Sequence, residues 1–209
     1  MNKRFYSLFA IALFSCGDAV EEVNTLPDVE SQLQESLEAL NLDIPTEWME
    51  VSDSTLCSLE IPAEMALMDK LNPDATIKYG QVSQEEDKVY ENYILVIPET
   101  YEELESFGSS VQFDINSYNK ACLEKLTSGL VEFTEVETTE EELDGNKAII
   151  QKLVGSKQIK EDLSIDIFYE LAVIEGEKGY YQVLSWTLAD QRSKFESNMD
   201  RMTNSFKEI

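Results

Sequence analysis

The chain has no histidine. That removes the side chain that most often moves protons near neutral pH and most often ligates zinc. Histidine-dependent triads and histidine-built zinc sites are therefore excluded. Glycine is scarce, eight in 209 residues, and scattered, so the chain has no Gly-rich phosphate loop. It also lacks Gly-x-Ser-x-Gly and Cys-x-x-Cys motifs. Basic residues are few, 16 against 42 acidic ones, for a net charge of −26. Such a surface repels phosphate backbones and anionic lipid, so nucleic acid is not an expected partner. No apolar run reaches the ~20 residues that a membrane-spanning helix needs. No internal repeat is visible.

What is present begins with Lys3 and Arg4, followed by an apolar stretch from Phe5 to Phe14 that stops at Ser15-Cys16. Positive start, short apolar core and small residue are the order of a secretory signal peptide. Leu13-Phe14-Ser15-Cys16 resembles a bacterial lipobox, with Phe14 bulkier than the usual residue at its position. In such signals the cysteine thiol receives a diacylglycerol, and cleavage before it frees an amine for further acylation. Two or more acyl chains anchor stably where one does not. The expectation is a signal peptide over residues 1–15, a lipidated Cys16, and an acidic tether over residues 16–28. The bland alternative is an ordinary signal peptide with a chance cysteine. Asp18, Glu21 and Glu22 resemble the acidic tag of surface-exposed lipoproteins in Bacteroidetes-type bacteria, or they are simply a solvated tether. Without Lys3 and Arg4 the formal charge falls to −28.

Val29, Leu33, Leu37 and Leu40 recur at helical spacing, which predicts a short amphipathic helix and linker over residues 29–45. Residues 46–209 then form one domain. Strands are expected over Glu47–Val51 and Thr55–Ile61, the second stopping at Pro62. Met65, Met68 and Leu71 suggest a helical turn between Pro62 and Leu71, and Asn72-Pro73-Asp74 a tight turn. Ala75–Val82 and Val89–Ile97 read as a hairpin, Thr100–Phe107 as the start of a helix, and Ile115–Leu126 as a stronger one. Leu130–Val136 reads as a strand and Thr138–Leu143 as an acidic loop closed by Asp144-Gly145-Asn146. Lys147–Lys157, Leu163–Ile174 and Tyr180–Leu188 continue as a meander. Phe195, Met199, Met202 and Phe206 share one face of a closing helix. Cys57 and Cys122 both fall in phase with core residues, as buried free thiols or, in an oxidising compartment, as a disulfide. Strands, a central helix, an antiparallel meander and a terminal helix make an α+β fold, an antiparallel β-sheet flanked by helices.

Three stretches carry a family resemblance: Cys57-Ser58-Leu59-Glu60-Ile61-Pro62, Leu143-Asp144-Gly145-Asn146-Lys147-Ala148, and Tyr181 to Phe206. Together with the element order they resemble the PsbP-like group, including Mog-type proteins and bacterial DcrB-type lipoproteins, over roughly residues 47–207. The resemblance implies an α/β/α sandwich and a non-enzymatic binding or assembly domain. Plant photosystem members use histidine in metal binding, and this chain has none to carry over. Nuclear-transport members bind a small GTPase that an exported lipoprotein does not meet.

Carboxylates offer the remaining chemistry. Glu85-Glu86-Asp87, Glu102-Glu103 and Glu140-Glu141-Glu142 read as solvated loops and helix faces. No Asp-x-Asp-x-Asp-Gly calcium loop occurs, and Asp144-Gly145-Asn146 reads as turn chemistry. Trp48, Trp186, Tyr180 and Tyr181 suit a sugar-binding surface only if exposed, and the core reading is preferred. No catalytic, cofactor or metal residue is expected, and no cofactor. The expected function is a lipid-anchored, non-enzymatic binding module of the bacterial cell envelope. It is expected at the outer membrane, on its periplasmic or cell-surface face. Its partners are the membrane, through the N-terminal lipid anchor, and a protein drawn to an acidic rim over Thr138–Asp144. The alternatives are a carboxylate-dependent hydrolase and a small-ligand or calcium-binding lipoprotein. Two converging carboxylates of perturbed pKa in a deep pocket are the feature that favours the hydrolase.

If Cys16 carries the lipid, metabolic fatty-acid labelling should be strong in the wild type and absent in Cys16→Ala. Equal labelling of the two would remove Cys16 as the attachment point.

Overall fold

The computed structural model describes residues 47–53, 55–106, 114–160 and 163–209. The expected signal peptide, Cys16, tether and amphipathic helix lie outside the described residues. Among the described residues ten strands and three α-helices follow one another. They are β1 (Trp48–Ser52), β2 (Cys57–Pro62), β3 (Ala66–Leu67), β4 (Ile77–Glu85), β5 (Lys88–Thr100), α1 (Tyr101–Ser106), α2 (Ile115–Thr127), β6 (Glu132–Leu143), β7 (Asn146–Lys160), β8 (Leu163–Glu175), β9 (Gly179–Leu188), α3 (Arg192–Asn204) and β10 (Lys207–Glu208). A single 3-10 turn, Ala189–Gln191, leads into α3.

Seven strands form one antiparallel sheet in the order β3-β4-β5-β9-β8-β7-β6, and a small sheet has the order β1-β2-β10. The period-2 alternation of each strand divides the side chains between two faces. On one face Ile94, Val96, Phe168, Ala172, Ile174, Tyr181 and Val183 meet α3 and the small sheet. On the other, Leu95, Tyr169, Leu171, Val173, Tyr180, Leu184 and Trp186 meet α2 through Tyr118, Cys122 and Leu126. The α+β class expected from the sequence is the architecture observed: α2 above the sheet, α3 and the small sheet below.

The termini of the elements follow local chemistry. Asp114 caps α2 by accepting from the Ser117 backbone N–H at 2.8 Å. Thr100 and Glu103 form a reciprocal capping box on α1, at 3.2 and 3.0 Å. Asp144 (φ 52) and Gly145 (φ 81) both occupy left-handed backbone in the β6–β7 turn, as the Asp-Gly signal requires. Gly179 begins β9 where only hydrogen fits, since a Cβ would stand 2.2 Å from the Glu99 carbonyl oxygen. The Asn72 turn is also present, its side-chain oxygen accepting from the Asp74 N–H at 2.8 Å.

Three expectations need correction, and one pairing was not expected. Pro62–Leu71 is not helical: a turn carries the chain into the two-residue β3, and Met65 is buried from that turn. Pro62 instead ends β2 paired with Trp48, and the three-residue spacing of Met65 and Met68 is a coincidence of turn geometry. The acidic Thr138–Leu143 segment is not a loop but the second half of β6. An edge strand wet on both faces needs no apolar alternation, so its acidity hid it. Phe206 does not lie on the last helix: α3 ends at Asn204, and Phe206 is buried just past the cap. Finally, β10 closes the small sheet against β2, a pairing that the two short segments do not announce. Cys57 and Cys122 are free and buried on opposite sides of the large sheet.

Phe195, Met199 and Met202 are all buried on α3 against the sheet. Truncating such a buried aromatic costs about 3–5 kcal/mol. Phe195→Ala should therefore shift the chemical-denaturation midpoint sharply downward, and an unchanged midpoint would mean that α3 is not docked.

Candidate functional site

Sheet register brings four polar side chains into one row on the α3 face. Glu137 on β6 lies opposite Lys152 on β7, Lys152 opposite Glu170 on β8, and Glu170 opposite Ser185 on β9. The row runs from water into the core: Glu137 is exposed, the Lys152 side chain is 13% exposed and that of Glu170 is 1%. Above it, α3 places Glu196 and Asp200 one turn apart, with Thr203 below them. Lys152 Nζ reaches Asp200 Oδ1 at 2.5 Å, Glu196 Oε1 at 3.2 Å and Glu170 Oε2 at 3.7 Å. Arg192 forks onto Glu196 with two bonds of 2.8 Å and stacks over the Phe168 ring at 4.4 Å. Thr203 donates to Glu170 Oε1 at 2.5 Å.

Between β6 and α3 this cluster opens into a cleft of about 240 Å³. Its lining includes Glu137, Thr139 and Glu141 from the edge strand, Lys152 and Glu170 from the floor, and Asp200, Thr203 and Asn204 from α3. Five carboxylates therefore surround two cations, Lys152 and Arg192. Burial is the main reason the Glu170 carboxyl is pushed up, to about 8, and a hydrogen bond to Asp200 adds to it. The same arithmetic appears in geometry. Glu170 Oε2 accepts no hydrogen bond. Two facing acceptors can bond only when one carries a proton, so Glu170 holds that proton and donates it to Asp200. Burial alone would lower Lys152, but the Asp200 bond and the charges of Asp200 and Glu170 outweigh it and raise it. Glu196 is held low chiefly by Arg192.

Converging carboxylates, with Glu170 raised in pKa, come near the feature named above as favouring a hydrolase. Their geometry argues against it. Glycosidases hold their carboxyls about 5–5.5 or 6.5–9.5 Å apart to straddle the scissile bond. Glu170 and Asp200 instead share a hydrogen bond, and Lys152 sits on both. A nucleophile already engaged by a lysine and a threonine is not poised to attack. The arrangement is a partly buried ion cluster, and it already holds one ammonium group internally.

The residues singled out from the sequence are placed elsewhere or only at the margin. Glu140 and Glu142 point to the other face of β6, with Glu141 alone of the three on the cleft side. Glu85-Glu86-Asp87 forms the β4–β5 turn and Glu102-Glu103 lies on the exposed α1. Trp186, Tyr180 and Tyr181 are buried and Trp48 is half-buried under the Arg201 guanidinium at 4.0 Å, so these rings form no sugar platform. Sequence reasoning missed Lys152, Glu170, Glu196 and Asp200. A signal for two of them existed. Lys152 stands between Ile150 and Val154, and Glu170 between Phe168 and Ala172, on the core-facing side of their strands. Among the described residues no cluster of His, Cys, Asp and Glu is arranged to hold a metal ion. No described helix is long and apolar enough to cross a membrane.

No protein-family model matches the chain, and no curated protein sequence matches it. Solved structures do. One is the Ran-binding protein Mog1p of Saccharomyces cerevisiae, with 14% identity over 78% of this chain and 95% of that one, at a TM-score of 0.49. Another is LpqN of Mycobacterium tuberculosis, involved in cell envelope biogenesis, with 13% identity over 80% and 87%, at 0.47. A third is cyanobacterial PsbP (CyanoP) from Synechocystis, with 11% identity over 81% and 96%, at 0.46. Mog1p and CyanoP bear the names of the group that the sequence resembles. At overlaps of this size the likeness carries no argument, and the α+β architecture rests on the chain's own strands and helices.

Glu170 faces Lys152 on β7, Glu196 and Asp200 on α3, and Glu137 and Glu141 across the cleft. Its proton is held in the folded state and lost in the unfolded state between the ordinary carboxylate value of 4.5 and about 8. Folding therefore takes up a proton in that window, and stability falls as pH rises through it, by up to about 1.4 kcal/mol per unit. Glu170→Gln keeps the donor and does not titrate. Its denaturation midpoint should gain on the wild type steadily from pH 5 to pH 8. Parallel profiles would place the proton on another group.

Proposed function

We propose that this chain is a lipid-anchored, non-enzymatic binding module of the bacterial cell envelope, engaging a protein partner along β6 and the adjoining acidic cleft. The observation that carries the reading is the state of β6. It ends the seven-stranded sheet, and of its twelve residues only Thr139 and Leu143 are withdrawn from water. It also holds six glutamates beside the exposed Phe133 and Val136. Apolar anchors inside a charged rim are the make-up of a protein-binding surface. The Leu13-Phe14-Ser15-Cys16 junction supports export and anchoring by acyl chains rather than by a spanning helix. The engaged Glu170–Asp200 pair supports binding over hydrolysis.

A photo-reactive residue placed in living envelopes at Thr138, on β6, should give a discrete cross-linked species, and the same residue at Glu105, on α1, should not. Uniformly negative results along β6 would sink the reading. So would turnover of a glycan or ester by the purified protein that is lost in Glu170→Gln.

A further inference from the structure

The state of β6 also restricts what can bind there. Among the described residues nothing pairs with its outer edge. An unpaired edge offers a row of backbone donors and acceptors to any extended segment that can approach. A second copy of this chain cannot easily do so, because six glutamates on one β6 would face six on the other, within proteins that each carry −26. The same charges that exclude a like strand attract an unlike one. A register shift between Glu135 and Glu137 breaks the regular ladder, leaving the seven residues 137–143 as the continuous edge.

The cleft gives that edge a second requirement. Glu137, Thr139 and Glu141 project on the α3 side, two residues apart, and an added strand would place every second side chain on that side. Behind them lies Glu170, 1% exposed, on the floor of the cleft, its Oε2 3.7 Å from the Lys152 ammonium. The space is about 240 Å³, several times the ~30 Å³ of one water, and so admits a chain-like group. Carboxylates outnumber cations around it, so an incoming ammonium or guanidinium is favoured and an anion is not.

We infer that β6 accepts an extended basic segment of a partner protein as an added strand over residues 137–143, with alternate lysine or arginine side chains entering the cleft between β6 and α3. This rests on the binding reading above and names the chemistry of its partner. A cross-link at Thr138 without strand addition would leave the former standing and remove the latter, so the two fail separately.

The probe is a fluorescent Lys-Thr-Lys-Thr-Lys-Thr-Lys peptide, titrated by anisotropy against the full chain. Two controls accompany it: the same peptide with every backbone amide N-methylated, and spermine as a competitor. Glu137→Gln combined with Glu141→Gln removes two exposed charges at the cleft, and Glu102→Gln with Glu105→Gln removes two exposed charges on α1. Binding should weaken about ten-fold in the cleft pair and less than about two-fold in the α1 pair, with circular dichroism unchanged in both. The N-methylated peptide, of identical charge, should bind at least about ten-fold more weakly, because it cannot join a ladder. Equal binding of the N-methylated peptide would overturn strand addition. So would full displacement by spermine at equal charge concentration. Equal losses in the two variant pairs, or no binding by the probe, would overturn the site.

Discussion

Strands β8 and β9 have no wet face. Ile167–Ile174 and Gly179–Thr187 are buried without a break, so both sides of the sheet must be covered before either strand is stable. That requirement explains the layers. α2 covers one side, where Tyr118 stacks on Tyr180 at 4.3 Å and receives a hydrogen bond from Gln182. α3 and the small sheet cover the other, with Phe206 against Tyr181 at 5.1 Å. Two polar residues within the two strands are met by a covering element. Gln182 is met by Tyr118 and Glu170 by Thr203.

The cleft is the outer boundary of this dry region. Strands spaced about 4.8 Å apart carry the row Glu137, Lys152, Glu170 from solvent to core in roughly 10 Å. The gradient decides the protonation pattern. Glu170, at the dry end, keeps its proton, while Lys152 stays charged because it faces α3 carboxylates that remain in contact with water. A cluster of this kind contributes less to stability than a well-packed apolar one. Its persistence under α3 is better accounted for by what it presents to the cleft.

Much of this was legible in the sequence, for identifiable reasons. Strands whose side chains alternate or run continuously apolar, such as those containing Leu59, Ile94 or Val173, were visible. So were the turn at Asp144-Gly145 and the α3 stripe, because local chemistry and period fix them. The second half of β6 was not visible, since a strand with two solvated faces follows no hydrophobic period. β3 and β10, two residues each, are strands only by virtue of the neighbours they meet. The cluster was invisible as a site because Lys152 and Glu170 lie eighteen positions apart and Asp200 thirty beyond Glu170. Register and the docking of α3 bring them together, and neither is a property of any short window.

The small sheet imposes an order in time. β2 is held from one side by β10, the Ser205 hydroxyl accepts from the Glu60 N–H at 2.8 Å, and Arg201 reaches the Glu60 carboxylate at 3.0 Å. These partners are separated by 145 and 141 positions. At the ~5–20 residues per second of protein synthesis, Leu59 and Ile61 therefore wait on the order of ten seconds for the segment that buries them. Loop closure over such a span is slow relative to a local hairpin. During that interval β2 is an apolar strand with a bare edge, and whatever shepherds the nascent chain must shield it until α3 and β10 arrive.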